Sequence, residues 1–324
     1  MACGLRPARP GFGLSSRHMK SVLKRQSRPD PMAGAGPALY RGAMIGRLTH
    51  VLAAASVLTG SVTAPAAAAT AAAQPVPEVM AALGDSISTG FNACGWYVSC
   101  TSRSWSAGDH AAVSSHYLRL SKLSGTLQGH NLNFAVPGAT SADLLGQVRK
   151  AVEAKADYVT VLIGATDACV RTEKAMTPVA TYRRRLETAL DTLRAGMPQA
   201  RVLVASIPDL RRLWQVGKDH PVARTFWTLG RVCPSMLASP SSVKKADVER
   251  RARVRARVID YNRAAAEVCA AYGPQCDTDG GAVFSFPFTL EHVSKWDFFH
   301  PSAAGQRVLA AQTFGRGFDW IDLR

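Results

Sequence analysis

No two cysteines of this chain stand at Cys-x2-Cys spacing, and its eight histidines are scattered. A structural zinc site therefore has no framework to form on. Long apolar runs are missing too. The best one, residues 48–62, is too short and too alanine-rich to span a bilayer securely. No unit repeats, and no second stretch would build a separate core, so residues 74–324 read as one domain. Acids are scarce, 23 Asp and Glu against 39 Lys and Arg, for a net charge of +16 and a pI near 10.0. Such a balance would suit nucleic acid or an anionic surface. Its distribution weakens that reading, because residues 1–73 hold nine basic residues against the single acid Asp30, and so half of the excess. Nucleic acid is not an expected partner.

What the chain does have begins with an address. From Met44, Arg47 supplies a positive start, an apolar stretch follows, and small residues at 64–73 offer several Ala-x-Ala sites. Residues 44–73 read as a secretory signal peptide, cut between 67 and 73, with an uncleaved anchor as the alternative. Residues 1–43 are rich in Pro, Gly and Arg and lack periodicity. They read as an unstructured leader, or as a start assigned too early. Cys3 lies there, and the other six cysteines follow the signal. An even count in an exported chain reads as disulfides in an oxidising compartment. Cys94 with Cys100 and Cys269 with Cys276 are close in sequence, and taking those pairs leaves Cys169 with Cys233. The protein is expected to be secreted and extracellular.

The body of the chain alternates strand and helix signals. Residues 79–83, 132–136, 158–163 and 201–207 are apolar runs ending at Gly or Pro-x signals, and 282–286 is a candidate last strand. Tyr158-Val159-Thr160-Val161-Leu162-Ile163 suits a strand buried on both faces of a parallel sheet. Helices are expected at 107–121, at 141–152 with Ser141 as cap, at 177–193, at 246–271 and at 302–314. This rhythm argues for an α/β fold, a mainly parallel sheet of about five strands with helices on both faces. Residues 210–245 interrupt it with Trp214, Phe226, Trp227 and Cys233, and read as an insertion near the site, a substrate wall or lid. The helix at 246–271 carries Arg250, Arg251, Arg253, Arg257 and Arg263. It is read as a solvated face with local pairs such as Glu249 with Arg253.

Chemistry-bearing residues sit where strands end. Gly84-Asp85-Ser86 follows the first strand. If a helix starts there, its amides and dipole favour negative charge beside the Ser86 hydroxyl. Gly138 follows the second strand, and Gly164-Ala165-Thr166-Asp167 the third. Asp297-Phe298-Phe299-His300 precedes the last helix. In a parallel sheet these loops gather on one edge. A serine hydroxyl needs a base, histidine suits that task, and an acid three residues earlier holds the other ring nitrogen. Asp85 and Asp167 are read as braces for their turns, and Asp109-His110 as a cap. Trp105, Trp214 and Trp227 would either line an acyl or sugar site or pack beneath a loop.

In these blocks the chain resembles the SGNH (GDSL) hydrolases, over roughly residues 79–314. Gly84-Asp85-Ser86 matches the nucleophile block, Asn133-Phe134-Ala135-Val136-Pro137-Gly138 the block whose glycine lends an oxyanion N–H, and Asp297-Phe298-Phe299-His300 the acid and base block. The six cysteines resemble those of secreted actinobacterial lipases and esterases with three sequential bridges. The resemblance implies a three-layer α/β/α sandwich of flavodoxin-like SGNH type, and Ser86, His300 and Asp297 as a catalytic triad. It also implies an oxyanion hole from Ser86, Gly138 and the third block, and no metal or cofactor. That third block departs from the family's Gly-x-Asn-Asp, because Thr166 stands in the asparagine's place. A shorter, rotating hydroxyl replaces an amide donor, and losing such a donor typically costs about 10²–10³ in turnover.

The expected function is a secreted serine esterase or lipase, acting through an acyl-enzyme on a small-molecule or lipid ester. It would act as a monomer, with transient contact to a lipid surface. A carbohydrate acetyl esterase, or a catalytically weakened binding module on the same fold, are the alternatives.

Overall fold

The computed structural model describes residues 75–315 and residue 321. The leader expected at 1–43 and the signal peptide at 44–73 lie outside the described residues. In chain order the elements are β1 (Met80–Gly84), α1 (His116–Leu120), β2 (Asn131–Asn133), α2 (Leu144–Glu153), β3 (Tyr158–Leu162), α3 (Ala165–Ala168), α4 (Val179–Gly196) and β4 (Arg201–Val204). There follow α5 (Leu210–Gly217), α6 (Pro221–Leu229), α7 (Pro234–Leu237), α8 (Lys245–Tyr272), β5 (Cys276–Thr278), α9 (Ala282–Ser285) and α10 (Ala303–Phe314). The strands form one parallel sheet in the order β2-β1-β3-β4-β5.

β1 and β3, the middle of the sheet, are buried at every residue. That is why they read as continuous apolar runs rather than alternating ones. The polar member of β3, Thr160, meets the Ser106 hydroxyl at 2.6 Å. Tyr158 and Thr160 face α1 and α10, where the buried His116 bridges the Tyr158 hydroxyl (2.8 Å) and the Thr313 hydroxyl (2.7 Å). On the opposite face α2, α4 and α8 pack side by side, with Leu144, Val148, Leu186, Leu190, Val258 and Tyr261 in the shared core. A polar residue, Gln147, interrupts the apolar stripe of α2.

Several local expectations are corrected. The helix expected at 107–121 is reduced to His116–Leu120. Ser114 adopts a left-handed conformation (φ 50°) and Ser115 caps the helix by accepting the Leu118 N–H. The strand expected at 132–136 is Asn131–Asn133, though Phe134 and Val136 still donate to the Ala82 and Gly84 carbonyls of β1. Ser141 does not cap α2. Its N–H and hydroxyl both go to Asp167, each at 2.7 Å. The last strand is Cys276–Thr278, whereas residues 282–285 form a short helix. The Asp279 carboxylate collects the N–H groups of Gly281 and Val283 and starts that helix.

The arginine face of α8 is only partly the solvated face expected, since the Glu249–Arg253 pair is present but Arg251 is buried. Arg251 is buried and stacks on Trp214 at 4.3 Å. Arg250 donates to the Ala238 carbonyl and pairs with Asp247, and Arg257 donates to the Thr177 carbonyl. Arg253 is exposed, with Glu249 at 3.8 Å and Glu173 at 3.0 Å. Arg263 is exposed. The three bridges are Cys94–Cys100, Cys169–Cys233 and Cys269–Cys276. The insertion at 210–245 contains α5, α6 and α7, with α7 against α8.

Candidate active site

β1 and β3 adjoin at the centre of the sheet, but their chain connections run to opposite sides. Such a switch point leaves a crevice at the carboxyl ends of the strands. Ser86 follows β1 there, and Thr166 follows β3.

The serine turn is held from three sides. Gly84 has φ 138°, and a Cβ on it would lie 2.1 Å from the Leu162 carbonyl oxygen, so only glycine fits. Gln147 of α2 accepts the Gly84 N–H (2.7 Å) and donates to the Gly84 carbonyl (2.9 Å). Asp85 accepts the Ile87 N–H at 2.9 Å on its side chain, and the Ser88 and Thr89 N–H groups on its carbonyl. The chain then turns tightly without forming the helix that could have started there. Burial pushes the Asp85 carboxyl up to about 7. Its role is that of a brace, as expected.

Ser86 Oγ lies 2.8 Å from His300 Nε2, and His300 Nδ1 lies 2.6 Å from Asp297 Oδ2. A carboxylate only accepts. Nδ1 therefore carries the proton in the neutral ring, leaving Nε2 to accept from the serine. Asp297 Oδ1 takes the Phe299 and His300 N–H groups at 2.9 and 3.0 Å, and Asn92 donates to Oδ2 at 2.5 Å. Burial raises the Asp297 carboxyl. Hydrogen bonds from His300, the Phe299 N–H and Asn92, and the His300 charge whenever that ring is protonated, outweigh it and hold the group below the usual carboxylate range. Phe91 packs beside the imidazole in a tilted arrangement and Phe299 edge-on, with centroids 4.8 and 4.9 Å away.

Gly138 (φ 81°) and Thr166 border the same cavity as Ser86, Phe91 and His300. Among the described residues nothing accepts from the backbone N–H of Ser86 or of Gly138, nor pairs with the Thr166 hydroxyl. The buried Asp167 holds these two loops in register. It receives Ser141, three residues beyond Gly138, and has Arg185 at 3.8 Å. Cys169 and Cys233 border this cavity as well. A second, mostly apolar cavity shares Ile87, Ala165, Phe299 and His300 with it and is walled by Leu210, Leu213 and Phe288.

All the sequence-predicted site residues thus converge on one crevice. The tryptophans do not line it. Trp105 and Trp227 are buried, Trp227 Nε1 donates to the Phe298 carbonyl at 2.9 Å, and Trp214 Nε1 donates to the Pro240 carbonyl. Asp109 and His110 are exposed and outside it. His110 Nδ1 accepts the Ala112 N–H within a turn, and since the helix starts only at His116 under Ser115, Asp109-His110 is not the helix cap expected of it. Sequence reasoning missed Asn92, Gln147 and Gln306, whose amide donates to the Ile87 carbonyl at 2.8 Å. Gln147 left a trace, a polar residue on the face shared by Leu144, Val148 and Ala151. Asn92 left none.

Residues 82–308 match the model of the GDSL-like Lipase/Acylhydrolase family. Similar solved structures include a GDSL-like lipase from Parabacteroides merdae (15% identity, 76% of this chain and 97% of that one, TM-score 0.45). An extracellular lipase from Streptomyces rimosus is 22% identical over 72% of this chain and 99% of that one, with a TM-score of 0.38. A phospholipase A1 from Streptomyces albidoflavus is 19% identical over 73% of this chain and 97% of that one, with a TM-score of 0.42. No curated protein matches.

Proposed function

The chain belongs to the GDSL-like lipase/acylhydrolase family, and from that premise we propose that it is a secreted esterase or lipase cleaving carboxylic esters through an acyl-enzyme on Ser86. The observation that carries this reading is the unbroken hydrogen-bond chain Ser86–His300–Asp297. His300 Nε2 takes the Ser86 proton as Oγ attacks the ester carbonyl carbon. Asp297 keeps the proton on Nδ1 and stabilises the imidazolium that forms. The N–H groups of Ser86 and Gly138, with the Thr166 hydroxyl, hold the tetrahedral oxyanion. His300 then passes its proton to the leaving alcohol. A water molecule attacks the acyl carbon, giving its proton to His300, and the collapse returns that proton to Ser86 and frees the acid.

The apolar cavity beside His300 supports an acyl chain as its occupant. Trp105, Trp214 and Trp227 line neither cavity, so they support neither an acyl nor a sugar site, and the carbohydrate esterase reading stays as the alternative. Three disulfides and the signal-like residues 44–73 support an extracellular site of action.

The test is turnover of a short-chain p-nitrophenyl ester by the secreted protein and by Ser86→Ala. The substitution should lower kcat by at least about 10⁴-fold. Equal rates would leave the fold as a binding module. A chain-length series beside acetylated xylan separates lipid from sugar esters.

A further inference from the structure

The segment leaving the serine turn ends in a small exposed loop closed by Cys94–Cys100. Gly95, Trp96 and Tyr97 are consecutive left-handed residues with φ 86°, 64° and 54°. Such backbone is costly for aromatic side chains and persists only where the surroundings over-determine it. Here they do. Asn92 accepts the Tyr97 N–H on its side chain (2.8 Å) and the Gly95 N–H on its carbonyl (3.1 Å), and its own N–H goes to the Val98 carbonyl (3.0 Å). Arg103 donates to the Ala93 carbonyl at 2.9 Å. Trp296 lies so close that a Cβ on Gly95 would be 2.3 Å from its indole nitrogen.

All this fixing turns apolar side chains toward water. Trp96 is 75% exposed, Tyr97 52%, Val98 48% and Trp296 37%. Nothing in the folding of the domain requires that exposure. The cluster is also tied to the reaction centre. Trp296 precedes Asp297, Asn92 bonds to both the loop and Asp297, and Phe91 packs beside His300.

We propose that Trp96, Tyr97, Val98 and Trp296 form an anchor that seats the mouth of the active site on an anionic lipid surface. Side chains with an apolar body and a polar tip favour that interface. A sugar is the poorer fit. The Trp96 and Trp296 rings are tilted by 39° and offer no flat platform, and Tyr97 commits its hydroxyl to the Trp296 carbonyl. Val98 contributes a purely aliphatic surface. The sign of the lipid follows from charge close to the cluster, since residues 95–104 contain Arg103 and no acid, Lys295 beside Trp296 is exposed, and the other half of the basic excess lies beyond residue 73.

The anchor acquires its use from the proposed ester hydrolysis, yet binding can be measured without turnover. The probe is the secreted protein carrying Ser86→Ala, co-sedimented with vesicles of phosphatidylcholine alone or mixed with phosphatidylglycerol, with tryptophan emission read in parallel. Binding to the mixed vesicles with a blue shift is expected. Adding Trp96→Ser with Val98→Ser should weaken partitioning by at least about tenfold at unchanged Tm. Lys295→Glu should weaken binding to mixed vesicles by about fivefold and leave phosphatidylcholine binding alone. No vesicle binding, binding indifferent to the double substitution, or a Trp96-dependent affinity for acetylated xylan in its place would each overturn the proposal. None of these outcomes depends on whether Ser86 forms an acyl-enzyme.

Discussion

The hydroxyl of Thr166 is shorter than the amide the family pattern places there, and it is free to rotate. It borders the cavity that Ser86 and Gly138 share. Thr166→Asn should therefore raise kcat on a p-nitrophenyl ester, by about tenfold if a full donor is worth about 10²–10³ and the hydroxyl already supplies part of it. A fall would mean that the crevice is built around threonine. Asp85 governs a different observable. Its carboxyl is raised from 3.8 to about 7, so the folded state keeps a proton that the unfolded chain releases between those values. The associated stability is full below about pH 4 and is lost as pH rises toward 7, by about 4 kcal/mol in all. Asp85→Asn cannot ionise. Denaturant melts from pH 4 to 8 should show the two proteins diverging with pH up to about 7 and running parallel above it. At this scale the contact of Ser86, His300 and Asp297 was legible, because the proposed chemistry needs those side-chain types beside strand ends. Asn92 was not, since any loop asparagine looks alike until the carboxylate it serves is next to it in space.

Between residues and the whole lie the elements, and there the readings succeeded or failed by length. β3 and α4 were legible from long apolar runs with clear periods. β5, only Cys276-Asp277-Thr278, carries no such run, and the apolar residues that invited a strand at 282–286 instead form a turn of helix under Asp279. The expected first helix failed because Ser114 and Ser115 break and cap it late. The bridge between Cys169, at the end of α3, and Cys233, at the start of α7, spans 64 residues and also borders the serine cavity. Replacing both cysteines by serine should cost about 3–4 kcal/mol, chiefly by freeing the unfolded chain. Turnover should fall as well, because the same link holds α7 against the Thr166 loop. Thermal melts with and without reductant check the first claim, and ester kinetics of the double variant the second.

For the whole molecule, alternating strands and helices announced a parallel sheet, but not its strand order, which only the resemblance to a flavodoxin-like type implied, as 2-1-3-4-5. It is set by which faces cover which in three dimensions. That order puts β1 beside β3, so that loops distant in sequence meet at one switch point. Ser86 and His300, 214 positions apart, owe their contact to it. Export, as part of the proposed function, concerns the entire chain, and cysteine supplies its test. Three bridges occupy the six cysteines among the described residues, while Cys3 precedes residue 44. If residues 44–73 direct secretion with cleavage between 67 and 73, the exported protein should begin in that window by mass spectrometry. It should also present no thiol to an alkylating reagent before reduction, and all six afterwards. A retained leader would add one reactive thiol at Cys3, and failed oxidation would add thiols in pairs, so the two ways of being wrong give different counts.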